Sequence, residues 1–580
     1  MTRPSEQPRS TLSVPPAPAI MPLSEVKSGM VGEAWTVFRG VKPEPFKIRV
    51  VSILRNFIPR QDVILMRAED PRVEFSGIAA GMSGSPVYIN GKLVGAIAYA
   101  WSFSKEPLAG VTPIETMLAE RQRPRRANDD LLANNEPAGL PRVASRNDNP
   151  NEPRLTTVSV PLSISGVSTV AMNDLADDLK PFGLVPVRVG GGGRRKQGLP
   201  VGIDKLEPGA PVGVELVRGD MSAVAMGTLT YVQGDKLVAF GHPMFGIGEV
   251  NLPLVLGEVH AFMPSMAASF KMASPIAEIG AVTQDRPSCI VGDLSRHATM
   301  VPIEVRVNAP DLERRTFRAE VARNRRLTPV LASMVITSAI ADTEPDVTEM
   351  AVSITSRLDV RNYGKVELKD QLFSNEGLSP RLLGSSRGVR ALSELLSNPF
   401  EPAVVDRLDI DVQIEFRRDL SEIVSVALSG DSVRAGDVVS LRVIFKPYAG
   451  PEFVETVPVK IPSSMAGQSV KVEVAAGGLV RPDVAKPESL RGYIENLRSF
   501  YTASSIVVSL NTPDDGASLR GRLIPNLPEA ALDTLRTGSQ TRRADAYRVA
   551  ERTVFTASKP VTGRQELTLI VREDALGKNR

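Results

Sequence analysis

From about residue 306 this chain reads mostly as strand, with hydrophobic and polar residues alternating in several stretches. The clearest case is Leu408, Ile410, Val412, Ile414 and Phe416, each separated by a polar residue, the mark of a half-buried strand. Further strands are predicted over 34–38, 46–54, 63–67, 438–445, 457–461, 506–510 and 567–571. Asn90-Gly91, between apolar runs over 87–89 and 92–98, is the strongest hairpin signal, because a type I′ turn needs positive φ at both central residues. The apolar run Leu327–Ala341 carries Thr328, Pro329, Ser333, Thr337 and Ser338 and is too short to span a bilayer. It is predicted as a buried helix. A second helix is predicted where Pro487 opens a turn and Leu490, Tyr493, Ile494, Leu497 and Tyr501 share a face. A third is placed over 528–536.

These patterns divide the chain. Residues 1–20 are rich in Pro and Ser and read as disordered. A compact block follows over 21–120, then a polar linker over 121–154 bracketed by Arg/Pro and Asn/Pro clusters. A second block covers 155–305. Beyond it lie a β-rich domain over 306–420, an Ig-like β-sandwich over 421–485 and an α+β module over 486–580. The fold class is mostly β.

Composition narrows the chemistry. The 580 residues are 42 % hydrophobic and 23 % charged, ordinary for a globular protein of several domains. Lys+Arg is 69 and Asp+Glu is 66, so the net charge of +3 gives no argument for nucleic acid. The short basic runs at 121–126 and 194–196 lack interleaved aromatics and read as solvated loops. The glycine run at 190–193 lacks the Lys-Ser/Thr ending of a phosphate loop and reads as a surface loop. The single cysteine, Cys289, excludes an intramolecular disulfide and a cysteine-rich metal site, and reads as a buried structural thiol. No metal or cofactor is expected. Arg3 and Arg9 are not followed by an apolar core, so 1–19 does not read as a secretory signal.

The candidate chemistry centres on Gly81-Met82-Ser83-Gly84-Ser85-Pro86. A serine framed by glycines on a tight turn exposes its Oγ, while the glycines let backbone N–H groups converge where an oxyanion can be held. A serine hydroxyl needs a base, and only His242, His260 and His297 are available. His242 follows two predicted strands and stands between Gly241 and Pro243, held by rigid elements yet open on one side. The bland reading of His242 is an ordinary loop histidine. His260 fits a half-buried strand and His297 a polar turn. Asp70 precedes Pro71, and its bland reading is a turn or cap residue. Ser85 is a rival nucleophile, although a serine before proline at a strand start more often packs or caps. Tyr99, Trp101 and Phe103 alternate after the hairpin and fit either a pocket lining or core.

Residues 65–98, from Leu65 through Asp70-Pro71-Arg72 and Gly81–Pro86 to Asn90-Gly91-Lys92, resemble the core of the SpoIVB-like serine peptidases. The segment from Gly227 to His242 resembles that family's histidine segment. The resemblance implies a trypsin-like double β-barrel, with Ser83 as nucleophile, His242 as general base and Asp70 as third member. Chemically, the N–H groups of Gly81 and Ser83 would then form the oxyanion hole, with Met82 as a wall. In the type member the histidine segment comes first. Here it comes last, which implies a circular permutation of the core, and no PDZ module is found. The resemblance further implies restricted, signalling-type cleavage of a protein or peptide substrate and an extracytoplasmic location.

Two other readings stand beside this one. The chain is alternatively a non-catalytic binding or scaffold protein keeping a peptidase fold, in which His242 does not reach Ser83 or Asp70 points away. It is also readable as a structural protein in which the serine turn is only a turn.

Overall fold

A computed structural model describes residues 12–123, 155–190 and 205–572, except 60, 102–103, 267, 311–312, 343–349, 375–385, 416–419, 429–432, 483, 485, 520–521, 525–526, 529, 532, 535–544 and 558. The chain divides into two compact units, one of 1–304 with 317–342, the other of 305–316 with 343–580.

The first unit is built on two closed barrels. The first barrel comprises β1 (Val31–Thr36), β2 (Glu44–Ile58), β3 (Gln61–Ala68), β4 (Pro86–Ile89), β5 (Lys92–Trp101) and β6 (Leu108–Pro113). The strands run in the order β4-β1-β2-β3-β6-β5, and a β4–β5 pairing closes the ring. Its registers include Ala34↔Phe46 and Val50↔Met66. Alternate residues such as Ile48, Ile64, Met66 and Ile89 point into one core with Phe46. Fully burying each such side chain stabilises the fold by about 1.5–3 kcal/mol. Asn90 (φ 51°) and Gly91 (φ 74°) form the predicted turn between β4 and β5.

After β7 (Leu155–Thr157), β8 (Val160–Ser165) and β9 (Leu184–Arg188) comes the second barrel. It consists of β10 (Pro211–Gly219), β11 (Ser222–Gln233), β12 (Lys236–Ala239), β13 (Gly248–Met263), β14 (Phe270–Arg286) and β15 (Cys289–Asp293). The order is β10-β13-β14-β15-β12-β11, closed by β10–β11. β7 pairs antiparallel with β5, and β8 with β11. Two six-stranded closed rings give the expected mostly-β, trypsin-like double barrel. Closure removes the exposed edges that open sheets must protect.

Several expectations need correction. Residues 12–20, within the segment read as disordered, are pinned: the Met21 N–H donates to Leu93 O, and the Leu93 N–H donates to Ala19 O. The backbone there satisfies a sheet edge, which composition does not reveal. Leu327–Ala341 is a helix as predicted and buried over most of its length, but it belongs to the first unit, not to a 306–420 domain. In the second unit, Ser469–Ala476 pairs with Arg564–Arg572 and with Ser505–Leu519. Ile423, Val443, Val472, Val508 and Val571 share one core. The boundary expected near 485 therefore does not separate two cores. The sandwich started at 421 needs partners for its strands, and the last block supplies them. The glycine run beyond Gly190, Phe103, most of the 121–154 linker and part of the 528–536 helix lie outside the described residues.

Candidate active site

The serine turn is held from both barrels. The Gly84 N–H donates to Ile97 O at 2.7 Å, and the Ser85 N–H donates to Met82 O at 3.0 Å. From β11, the Thr228 N–H donates to Ser83 O at 2.9 Å. The hydroxyls of Thr228 and Thr230 donate to the carbonyls of Gly81 and Gly84 at 2.9 and 2.7 Å. Gly84 sits at φ +91°, and a Cβ there would lie 2.0 Å from Thr228 O and 2.5 Å from Phe240 N. Only glycine permits both that conformation and that approach. Met82, expected as a wall, is fully buried in the first barrel's core.

The second side of the site is the chain leaving β12. Phe240 adopts φ 72°, rare outside glycine, and Gly241 also has φ 72°. The Thr112 hydroxyl on β6 donates to Gly241 O at 2.6 Å. The segments that carry Ser83 and His242 thus meet within one chain, at the junction of the barrels.

Ser83 is fully buried and its Oγ has no hydrogen-bond partner among the described residues. His242 is 2 % exposed, and its Nε2 also has none. Its Nδ1 lies 2.7 Å from Pro243 O. A carbonyl can only accept, so Nδ1 carries the proton and Nε2 keeps its lone pair. Burial pushes the imidazole down to about 4, against the opposing pull of the Pro243 and Val158 carbonyls. At neutral pH the ring is uncharged, in the tautomer that can accept a proton at Nε2.

Asp70 is placed differently from the expected third member. It caps the helix Pro71–Ser76, accepting from the Arg72 N–H at 2.9 Å, and pairs with the Arg72 guanidinium at 3.1 Å. Those bonds to Arg72 hold its carboxyl below the usual range. The bland reading of an Asp before Pro describes it fully, and the Pro243 carbonyl orients the histidine instead. The predicted oxyanion donor Gly81 gives its N–H to Ser159 O at 3.2 Å. The Ser85 hydroxyl donates to Thr36 Oγ1 at 3.1 Å, so the rival nucleophile is tied into the interior. His260 bonds Ser274 and His297 bonds Glu278, and neither contact involves the serine turn. Cys289 is buried, and its desolvated thiol is pushed up. Tyr99 is buried in a small apolar cluster with Val63 and Ala98.

Two residues of the site escaped the sequence reading. Lys271 on β14 is 2 % exposed and donates to Thr36 Oγ1, with Thr228 Oγ1 at 3.5 Å. Its methylenes flank Gly81, and burial pushes its amine down to about 7. Asp285 is buried and accepts from the N–H groups of Met244 and Phe245 at 2.8 and 2.7 Å, fixing the loop that follows His242. Lys271 is a cation near the start of a strand whose next seven residues carry no basic side chain, which was a legible signal. Asp285 precedes a turn and gave none.

Residues 9–118 match the family described as SpoIVB peptidase S55, a family of serine peptidases. The match takes in the first barrel with Asp70 and Ser83 and ends before His242. No curated protein and no solved structure is matched. The part that matches, the first barrel with the serine turn it carries, is similar to the SpoIVB-like peptidases.

Proposed function

We propose that the chain hydrolyses peptide bonds with Ser83 as nucleophile and His242 as general base. The observation that carries this reading is a complementary pair of unpartnered atoms. Ser83 Oγ and His242 Nε2 are both buried at the barrel junction without a hydrogen bond to any described residue. A buried polar atom left unpaired costs about 1–3 kcal/mol, so two together point to a use.

In the reaction, Ser83 Oγ bonds to the substrate carbonyl carbon as its proton moves to His242 Nε2. The N–H groups of Gly81 and Ser83 would receive the developing oxyanion. The Nε2 proton then passes to the leaving amine as the C–N bond breaks, and water reverses the sequence to release the acid. The Pro243 carbonyl holds the tautomer and faces the imidazolium. It carries a partial rather than a full negative charge, so it stabilises that cation less than a carboxylate would.

The order of segments, serine before histidine, fits a permuted core. Restricted, signalling-type cleavage and an extracytoplasmic location belong to the same reading. Among the described residues no helix is long and apolar enough to cross a membrane. We assign partner or substrate binding to the second unit. The scaffold reading draws support from Asp70, which is committed to its own helix.

Fluorophosphonate labelling decides between them. The catalytic reading expects modification of wild type and Ser85→Ala, and none of Ser83→Ala. Equal labelling of wild type and Ser83→Ala would move the nucleophile elsewhere, and no labelling of any form would leave the scaffold.

A further inference from the structure

A peptidase whose nucleophile and base are 0 % and 2 % exposed has no room for a substrate. The segment that meets the Gly81 N–H and the His242 ring is the chain's own, from β7 into β8. β7 runs antiparallel to β5 with Tyr99↔Thr157, Ala100↔Thr156 and Trp101↔Leu155 in register. The pairing continues as the Val158 N–H donates to Ala98 O at 2.8 Å. The next carbonyl, Ser159 O, takes the Gly81 N–H. The Val158 carbonyl faces the His242 ring. Pro161 Cγ lies 3.2 Å from where a Gly81 Cβ would be.

We propose that residues 155–160 are a built-in inhibitory strap, an intramolecular peptide that occupies the cleft and must withdraw before substrate binds. This rests on the Ser83–His242 reading. The arrangement is that of an extended peptide added to a sheet edge, with main-chain bonds fixing its register. Its Ser159 carbonyl sits on a donor that the transition-state oxygen requires. With the strap in place, Ser83 Oγ and His242 Nε2 are not hydrogen-bonded to each other, so the base is uncoupled from the nucleophile. The strap is therefore held without being attacked. β7 is only three residues long and pairs with β5 alone, and short segments of that kind open locally at small cost.

The test uses the full chain and a fluorophosphonate. Thr156→Pro disrupts β7 at an exposed position outside the barrel cores and should be labelled at Ser83 at least about tenfold faster than wild type. In parallel, labelling of wild type should remove amide-exchange protection over 155–161, because the phosphonate oxygen must displace Ser159 O from Gly81. Equal rates with protection unchanged on labelling would overturn the strap while leaving Ser83 as nucleophile. A chain cut after Ser159 would also overturn it, because the segment would then be a substrate. Absence of labelling in both forms, or labelling retained in Ser83→Ala, would instead overturn the site itself and the strap with it.

Discussion

His242 Nδ1 lies 2.7 Å from the carbonyl oxygen of Pro243, its own chain neighbour. The imidazole tautomer is thus set locally, by a residue whose ring restricts the backbone. Replacing His242 by Ala should reduce fluorophosphonate labelling of Ser83 by at least a thousandfold. Removing such a histidine costs on the order of 10⁶ in turnover in a well-studied serine protease.

The same burial predicts a pH effect on stability. His242 is held at about 4 in the fold, against about 6.5 when unfolded. Between those values the unfolded chain binds a proton that the native state does not. The contribution is therefore fully present above about 6.5 and lost as pH falls towards 4. Urea midpoints at pH 7 and pH 5 should fall more for wild type than for His242→Gln. The labelling rate should hold below pH 6.5, where an ordinary histidine base would already be protonated.

Asp70 gives a sharp contrast between two roles. As a helix cap, its change to Ala should cost about 0.5–2 kcal/mol of stability. As a triad member, even the isosteric change to Asn would cost about 10⁴ in turnover. The placement against Arg72 predicts that Asp70→Asn leaves the Ser83 labelling rate within about tenfold of wild type. Labelling kinetics beside a urea melt measure both effects.

Lys271 is buried with hydroxyl partners, Thr36 and Thr228. Its amine titrates near 7 in the fold and about 10.5 unfolded, so its stabilising contribution is full above 10.5 and lost as pH falls through 7. Lys271→Met should raise the urea midpoint at pH 6–7, because a buried ammonium carries a desolvation penalty that hydroxyl partners offset only in part. It should also flatten the dependence of the urea midpoint on pH between 7 and 10.

Gly84 allows no side chain. A methyl there meets Thr228 O at 2.0 Å and the residue keeps φ +91°. Gly84→Ala should destabilise the first unit by about 2–4 kcal/mol, combining backbone strain with displacement of β11. Loss of Ser83 labelling should accompany a lowered melting temperature.

The sequence by itself determined the local pieces. Alternation predicted strands such as 408–416, of which 408–415 lies within the observed Val405–Glu415 and Phe416 outside the described residues, and Asn90-Gly91 predicted the turn between β4 and β5. The glycine-framed serine and the scarcity of histidine singled out Ser83 and His242. These signals are legible because pleat, turn conformation and residue chemistry act within a few residues of one another. Only the tertiary structure decided what each residue faces. It gave Asp70 to Arg72, Ser85 to Thr36, and the Gly81 N–H to Ser159, and it buried Lys271 beneath the turn. It also completed the 421–476 strands with strands from beyond 500. Each of those outcomes depends on pairing between segments far apart in the chain. Register and barrel closure set that pairing, and local composition carries no record of it.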